Sequence, residues 1–235
     1  RTLVLVCTYN ERENLPTLFE GIGRVLPNAD LLVVDDGSPD GTSAWVREQQ
    51  QSKPHVLLIE RSGKQGLGTA IRTGMEYAIR NGYSWLINLD GDMSHDPSAI
   101  PSLLSQSHTC DVVIGSRYVK GGGLEGCSWR RILVSRVANQ LARWMVGWKI
   151  RDCSSAYRLY RVSMLQKVEL SQLHETGYGF LEEVLAHLLR LGARVAEMPI
   201  VYVERRNGVS KISIKEARSA FSAFRRASKI LRRRA

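Results

Sequence analysis

Leu31-Leu-Val-Val34 followed by Asp35-Asp36-Gly37-Ser-Pro-Asp-Gly41 reads as a short buried strand that ends in two carboxylates and a tight turn. The same punctuation recurs along the first half of the chain. Leu3-Val-Leu-Val-Cys7 leads to Tyr9-Asn10-Glu11, residues 84–89 lead to Asp90-Gly91-Asp92, and residues 112–114 lead to Ser116-Arg117-Tyr118. One more apolar run covers residues 56–59. Between these runs the chain turns helical, over residues 12–26 (Leu15, Leu18, Phe19, Ile22, Val25, Leu26), 42–51, 68–81 and 97–105. Continuous apolar strands alternating with helices predict an α/β doubly wound fold, its parallel sheet covered on both faces. Such sheets take their ligands at the carboxyl ends of the strands. The four polar clusters are therefore expected on one rim.

The second half is less regular. Gly121-Gly-Gly123 predicts a flexible loop, and residues 129–148 carry Trp129, Leu133, Val137, Leu141, Trp144 and Trp148 at helical spacing. Arg130, Arg131, Arg136 and Arg143 accompany that stripe, which suits either the core or a membrane interface. Residues 152–158 return to loop and strand, 181–191 are helical and 195–203 extended. Residues 215–231 form a basic amphipathic pattern, suited to anionic lipid or to docking on the body or a partner subunit.

Composition narrows the function classes. A chain of 235 residues with 43% apolar and 24% charged side chains is neither disordered nor a disulfide-stapled miniprotein. The net charge of +10 is unevenly placed: residues 1–116 hold 9 basic and 14 acidic side chains, residues 117–204 hold 13 and 8, and residues 205–235 hold 11 and 1. An acidic half followed by a basic half suggests a cation site facing a polyanion or an anionic surface. Cys7, Cys110, Cys127 and Cys153 show no zinc-ligand spacing and are read as reduced thiols. No stretch reaches the ~20 apolar residues of a membrane span. Nucleic-acid binding is not expected, since no RNP-like strand or recognition helix is visible.

Asp90-Gly91-Asp92 is the main chemical clue. Two hard oxygen donors around a small residue suit Mg²⁺ or Mn²⁺, which usually keep one or two carboxylates plus substrate phosphates. Asp35-Asp36 at the same rim strengthens that reading, because two acidic pairs repel unless a cation or a hydrogen-bond donor lies between them. His95 reads as a local packing residue. Gly63-Lys-Gln-Gly-Leu-Gly68 lacks the order of either phosphate-binding glycine motif and reads as a structural turn. Arg117, Arg131, Arg136 and the segment Arg205-Arg-Asn-Gly-Val-Ser-Lys211 offer donors for anions.

Taken together these residues resemble the inverting nucleotide-sugar glycosyltransferases of the GT-A fold and, more narrowly, the dolichyl-phosphate (polyprenyl-phosphate) mannose synthases. The likeness is carried by Thr8-Tyr-Asn-Glu-Arg-Glu-Asn14, Asp35-Asp-Gly-Ser-Pro-Asp-Gly-Thr42, Gly66-Leu-Gly-Thr-Ala70, Asp90-Gly-Asp-Met-Ser-His95 and Gly115-Ser-Arg-Tyr118. Ser154-Ser-Ala-Tyr-Arg-Leu-Tyr160, Gly177-Tyr-Gly-Phe180 and Arg205 to Lys211 extend it. The chain departs from the family at Cys7, Gly91, Ser94 and Ala156, none of which removes a charged group.

The resemblance implies a GT-A catalytic domain over residues 1–212, with 213–235 as a C-terminal interface helix. It implies that Tyr9, Glu11, Val34 and Asp36 line the base and ribose of GDP-mannose, and that Asp90, Gly91 and Asp92 meet its diphosphate. Asp90 and Asp92 would hold Mg²⁺ or Mn²⁺. Arg117, Arg131, Ser135, Arg205 and Lys211 would take the acceptor phosphate, with Arg117, Arg205 and Lys211 also reaching the donor. Asp92, Arg117 and Arg131 would carry catalysis. The acceptor would be a polyprenyl (dolichyl) phosphate at the cytoplasmic face of a membrane, with a membrane-spanning partner subunit possible. The rival readings are a UDP-sugar polyprenyl-phosphate glycosyltransferase and a catalytically idle membrane-associated subunit.

Overall fold

The computed structural model describes residues 1–146, 149–177 and 179–204, together with Arg226, Ser228 and Ile230. A seven-stranded sheet runs in the order β3-β2-β1-β4-β7-β5-β8. Its strands are β1 (Thr2–Thr8), β2 (Asp30–Asp35), β3 (Val56–Glu60), β4 (Trp85–Asp90), β5 (Val112–Ser116), β7 (Arg158–Arg161) and β8 (Val195–Pro199). All pair in parallel except β7, which is antiparallel to both β4 and β5. Two short strands, β6 (Gly123–Glu125) and β9 (Val201–Val203), pair with each other in a separate parallel ribbon.

The apolar runs are continuous because both faces of each strand are buried. Leu3, Leu5, Leu32, Val34 and Leu86 face one core, beneath α3 (Leu67–Arg80), α6 (Val162–Leu165) and α7 (Phe180–Arg190). Val4, Val6, Leu31, Val33 and Ile87 face the other, beneath α1 (Leu15–Val25), α2 (Thr42–Ser52) and α4 (Ile100–Ser105). Each such side chain, fully buried, contributes about 1.5–3 kcal/mol. The expected α/β doubly wound architecture is thus present, with a further helix, α5 (Trp129–Val146), in the second half.

Two differences from the sequence reading have local causes. Strand β7 was expected only as part of a loop and strand, because Arg-Leu-Tyr-Arg carries charges where a central strand is usually apolar. Its Arg158 is nonetheless fully buried, donating to the carbonyls of Ser155, Leu181 and Cys153. Residues 195–203 divide at Ile200, whose amide still bonds Ser116 while the chain leaves to join β6. Most of the predicted helix over 215–231 lies outside the described residues. Where it is described, Arg226 forms an ion pair with Glu175 and Ile230 packs on the core, so the segment meets the body there.

Close approach accounts for Gly66 and Gly68. Gly68 donates its amide to the Thr176 carbonyl at 2.9 Å, and a Cβ on Gly68 would stand 2.6 Å from Phe180 Cβ and 2.8 Å from the Gly177 carbonyl. The turn reading is therefore structural in fact. Gly68→Ala is expected to destabilise the fold by about 2 kcal/mol, the usual scale of overpacking. Urea denaturation measures it; an unchanged midpoint would mean that the 176–180 segment simply yields.

Candidate active site

Register builds the rim. Cys7 of β1 is level with Val34 of β2 and with Asp90 of β4, so Thr8–Glu11, Asp35-Asp36 and Asp90–Asp92 leave adjacent strands at one height. Arg158 of β7 is level with Asn88 of β4 and Ile114 of β5, which brings Ser116–Tyr118 and residues 152–157 to the same edge.

The two acids after β2 are satisfied from within the protein. Asp35 is fully buried, its oxygens taking the hydroxyls of Thr8 (2.7 Å), Ser38 (2.6 Å) and Ser43 (2.8 Å) and the amide of Ser38 (2.8 Å). Asp36 pairs with the buried Arg61 at 3.0 Å and accepts from the amides of Gln65 and Gly66. Asp35 therefore spends both oxygens inside the protein, and Asp36 is charge-paired with Arg61, so their carboxylates serve the turn and Arg61 before any metal. Asp40 closes the turn. Burial raises its carboxyl, but hydrogen bonds from Thr42 and the Arg12 amide outweigh that and hold it below the usual range.

Around this turn the base-side residues gather. Tyr9 is exposed, with the Lys64 ammonium 4.4 Å from its ring centroid. Glu11 is buried and accepts from Asn14 Nδ2 at 2.6 Å. Val34 sits at the end of β2 with its side chain wholly inside the core, so what it can offer a base is its backbone.

Asp90 and Asp92 occupy the centre of the rim. Asp92 is buried and receives the Ser94 amide at 3.0 Å and the Ser94 hydroxyl at 2.5 Å, both on Oδ1. Asp90 is partly open. His95 Nδ1 accepts from the Asp90 amide at 3.1 Å and lies 3.7 Å from Asp90 Oδ2. Burial lowers the pKa of this histidine against the opposing pull of Asp90 and Asp92, and its ring packs between Tyr157 and Tyr202 at 5.0 and 5.8 Å. Gly91 keeps the chain close to β1, where a Cβ would meet Thr8 and Val6 side chains at 3.2 and 3.3 Å. Among the described residues no three His, Cys, Asp or Glu side chains converge as a complete metal cage. A pair of carboxylates at a ligand rim fits Mg²⁺ or Mn²⁺, which complete their shells with phosphate oxygens and water.

On the other side of the rim Arg117 is held by a fork. Its Nε and Nη2 donate to the two oxygens of the fully buried Asp152, both at 2.7 Å, and Nη2 reaches Ser154 at 2.8 Å. Burial opposes its charge, but Asp152 prevails and raises the pKa. Glu197 of β8 in turn accepts the amides of Arg151 and Asp152. Tyr118 donates to Ser135 on α5 at 2.6 Å, and Asn139 ties α5 to Cys153 and Ser154.

The structure thus brings together Tyr9, Glu11, Asp36, Asp90, Gly91, Asp92 and Arg117, and joins Ser135 to them through Tyr118. Arg205, Lys211 and the side chain of Arg131 lie outside the described residues. Sequence reasoning missed Arg61, Lys64 and Asp152. Arg61 follows β3 directly and could have been found as a strand-end residue of the same rim.

A doubly wound sheet with an acidic and cationic rim at its strand ends suits a glycosyltransferase. The chain belongs to Glycosyl transferase family 2, whose profile matches residues 3–169. It is 41% identical over 222 residues to a polyprenol monophosphomannose synthase of Mycolicibacterium smegmatis, covering 94% of this chain and 84% of that one. It is 38% identical over 213 residues to an undecaprenyl-phosphate mannosyltransferase of Micrococcus luteus, covering 91% and 88%. Among solved structures it resembles glucosyl-3-phosphoglycerate synthase of Mycobacterium tuberculosis in complex with Mn²⁺, uridine diphosphate and glucosyl-3-phosphoglycerate. That likeness has a TM-score of 0.67 at 18% identity and covers 99% of this chain and 79% of that one. At that identity it supports the fold.

Two measurements test this electrostatic scaffold. Asp152→Ala leaves Arg117 buried without its carboxylate and is expected to cost about 3–5 kcal/mol in denaturant unfolding. Glu182, buried near Arg158 with Oε2 lacking a hydrogen-bond partner, is pushed up to about 7 by burial, with Arg158 opposing. Its folded pKa exceeds its unfolded one, so its contribution to stability is present at low pH and lost as pH rises through about 7. Glu182→Gln removes that loss, and its advantage over the parent should widen from about pH 4.5 to about pH 7, by at most about 1.4 kcal/mol per pH unit, and stay level above. A pH-independent difference would refute the assignment.

Proposed function

We propose that this chain transfers mannose from GDP-mannose to the phosphate of a membrane polyprenyl (dolichyl) phosphate, with inversion at the anomeric carbon. The observation that carries the proposal is the likeness, across more than nine tenths of the chain, to two proteins named for forming mannosyl phosphate lipids. The four free cysteines agree with work at the reducing, cytoplasmic face of a membrane. Among the described residues no helix is long and apolar enough to cross one.

The rim chemistry fits an acceptor that needs no general base. The histidine at its centre, His95, is buried between two tyrosines with Nδ1 committed to the Asp90 amide. A phosphate monoester has its second pKa near about 6 and arrives largely as the dianion. Catalysis then reduces to positioning and charge neutralisation. Tyr9, Lys64 and Glu11 are placed to flank the nucleoside end of the donor. Arg117, held by Asp152 through Nε and Nη2, keeps Nη1 for an anionic ligand, and by the resemblance Ser135, Arg131, Arg205 and Lys211 would take the acceptor phosphate with it. The acceptor oxygen forms its bond to the anomeric carbon as the bond to the diphosphate breaks, and GDP leaves with the electron pair. Asp90 and Asp92 would hold Mg²⁺ or Mn²⁺, which supplies positive charge to the departing diphosphate.

Transfer of label from GDP-mannose to a short polyprenyl phosphate, with UDP-glucose as competitor and EDTA as control, tests the reading. Asp92→Ala is expected to lower transfer at least about a hundredfold. Near-normal turnover in that variant would remove Asp92 from the reaction, and label accepted only from UDP-glucose would overturn the donor.

A further inference from the structure

Beneath the rim, Asn88 of β4 and Arg158 of β7 stand directly opposite each other and project from the same face of the sheet. Both are buried, Arg158 completely. Their donors converge on one short segment. Arg158 sends Nη2 to the Cys153 carbonyl at 2.5 Å and Nε to the Ser155 carbonyl at 2.7 Å, and Asn88 sends Nδ2 to the Ala156 carbonyl at 2.7 Å. The remaining nitrogen of Arg158, Nη1, donates to the Leu181 carbonyl on α7 at 2.8 Å and to the Tyr160 hydroxyl at 3.4 Å.

What that segment carries gives these bonds their meaning. Asp152 and Ser154 flank Cys153, and both hold Arg117: Asp152 through Nε and Nη2 at 2.7 Å, Ser154 through Nη2 at 2.8 Å. Asn88 lies two residues before Asp90, so the two side chains leave one face of β4 about 7 Å apart along the strand. One buried pair therefore ties the strand of the central acid to the segment that aims the cation. Packing alone does not call for a charge at this place. The same face of the sheet is filled by Leu5, Leu86, Ile114 and Tyr160, and an apolar side chain would avoid taking a guanidinium out of water. The hydrogen bonds of Arg158 all go to neutral oxygens, most of them backbone carbonyls.

We infer that Arg158 and Asn88 are positioning residues for the transfer: they fix segment 152–156 on β4 and so hold the Arg117 guanidinium at a set place relative to the Asp90–Asp92 tip. Neither touches a substrate; each acts through Asp152 and Ser154 on Arg117. What Arg117 grips rests on the reaction proposed above, whereas how Arg117 is held rests on the hydrogen bonds alone.

The arginine Nε–H signals in a nitrogen–proton NMR spectrum of the full chain separate the two. Arg161, whose Nε donates to Asp111 at 2.9 Å at the far end of β7, is the internal reference. The parent should show a slowly exchanging Nε–H for both arginines. Arg158→Lys should lose the Arg117 signal, keep that of Arg161, and lower kcat/KM for the phosphate acceptor by about a hundredfold, the scale of a misplacement of about 1 Å. Asn88→Ala is milder and serves if Arg158→Lys does not fold. It should weaken the same signal and lower transfer roughly fivefold, as for one neutral hydrogen bond. On an Arg117→Ala background neither change should lower transfer further, because both act through that side chain. An Arg117 signal missing from the parent, unchanged in the variants, or lost only together with that of Arg161 would overturn the inference. So would full transfer by the variants, or losses that simply add to that of Arg117→Ala. A signal lost in the variants of a parent that transfers no mannose would uphold the positioning and defeat the reaction.

Discussion

Both carboxylate oxygens of Asp35 are taken up inside the protein by three hydroxyls and one amide, and these bonds join the end of β1, the turn after β2 and the first turn of α2. A buried, uncompensated carboxylate would be unfavourable by several kcal/mol. Hydrogen bonds to a charged group contribute about 1.5–3 kcal/mol each, so only a turn that supplies all four can bury this one. The rest of the base-side rim follows from that fixed turn. The backbone amides of Asn10, Glu11 and Arg12 donate to Ser38 Oγ, Thr42 Oγ1 and Asp40 Oδ2.

The rim is therefore graded in charge. On the β2 side the acids are held by the protein, Asp35 by hydrogen bonds from hydroxyls and an amide and Asp36 by the charge of Arg61. On the β5 side the cation Arg117 is neutralised by Asp152. Between them Asp90 and Asp92 present negative charge at the centre, beside a histidine that burial disfavours as a cation. The phosphate-rich donor proposed above would meet partners already in place here, which would lower the reorganisation that its binding requires.

Much of this was legible in the residues. Both-face burial of β1, β2 and β4 makes their apolar runs continuous, and the strand-end positions of Asp36, Asp90, Asp92 and Arg117 followed from the alternation. What escaped depended on partners far apart in sequence. Asp35 and Asp36 look alike on paper, yet one serves the turn and the other Arg61. Arg158 hides a strand because its charge is satisfied by carbonyls from residues 153, 155 and 181. Periodicity in residues 129–146 announced an apolar face without saying which way it points, and the structure turns it outward.

Strand β9 gives the acidic loop an unexpected neighbour. The Val203 amide bonds the Ser94 carbonyl at 3.2 Å, Tyr202 forms a bridge with His95, and Glu204 is tied to Glu125. The loop that carries Asp92 is thus stitched to the last described strand, whose continuation begins at residue 205. Mechanical load travels both ways through such a stitch. A shift of β9 would therefore be felt by the acidic loop, because the two share the Val203–Ser94 hydrogen bond and the His95–Tyr202 bridge.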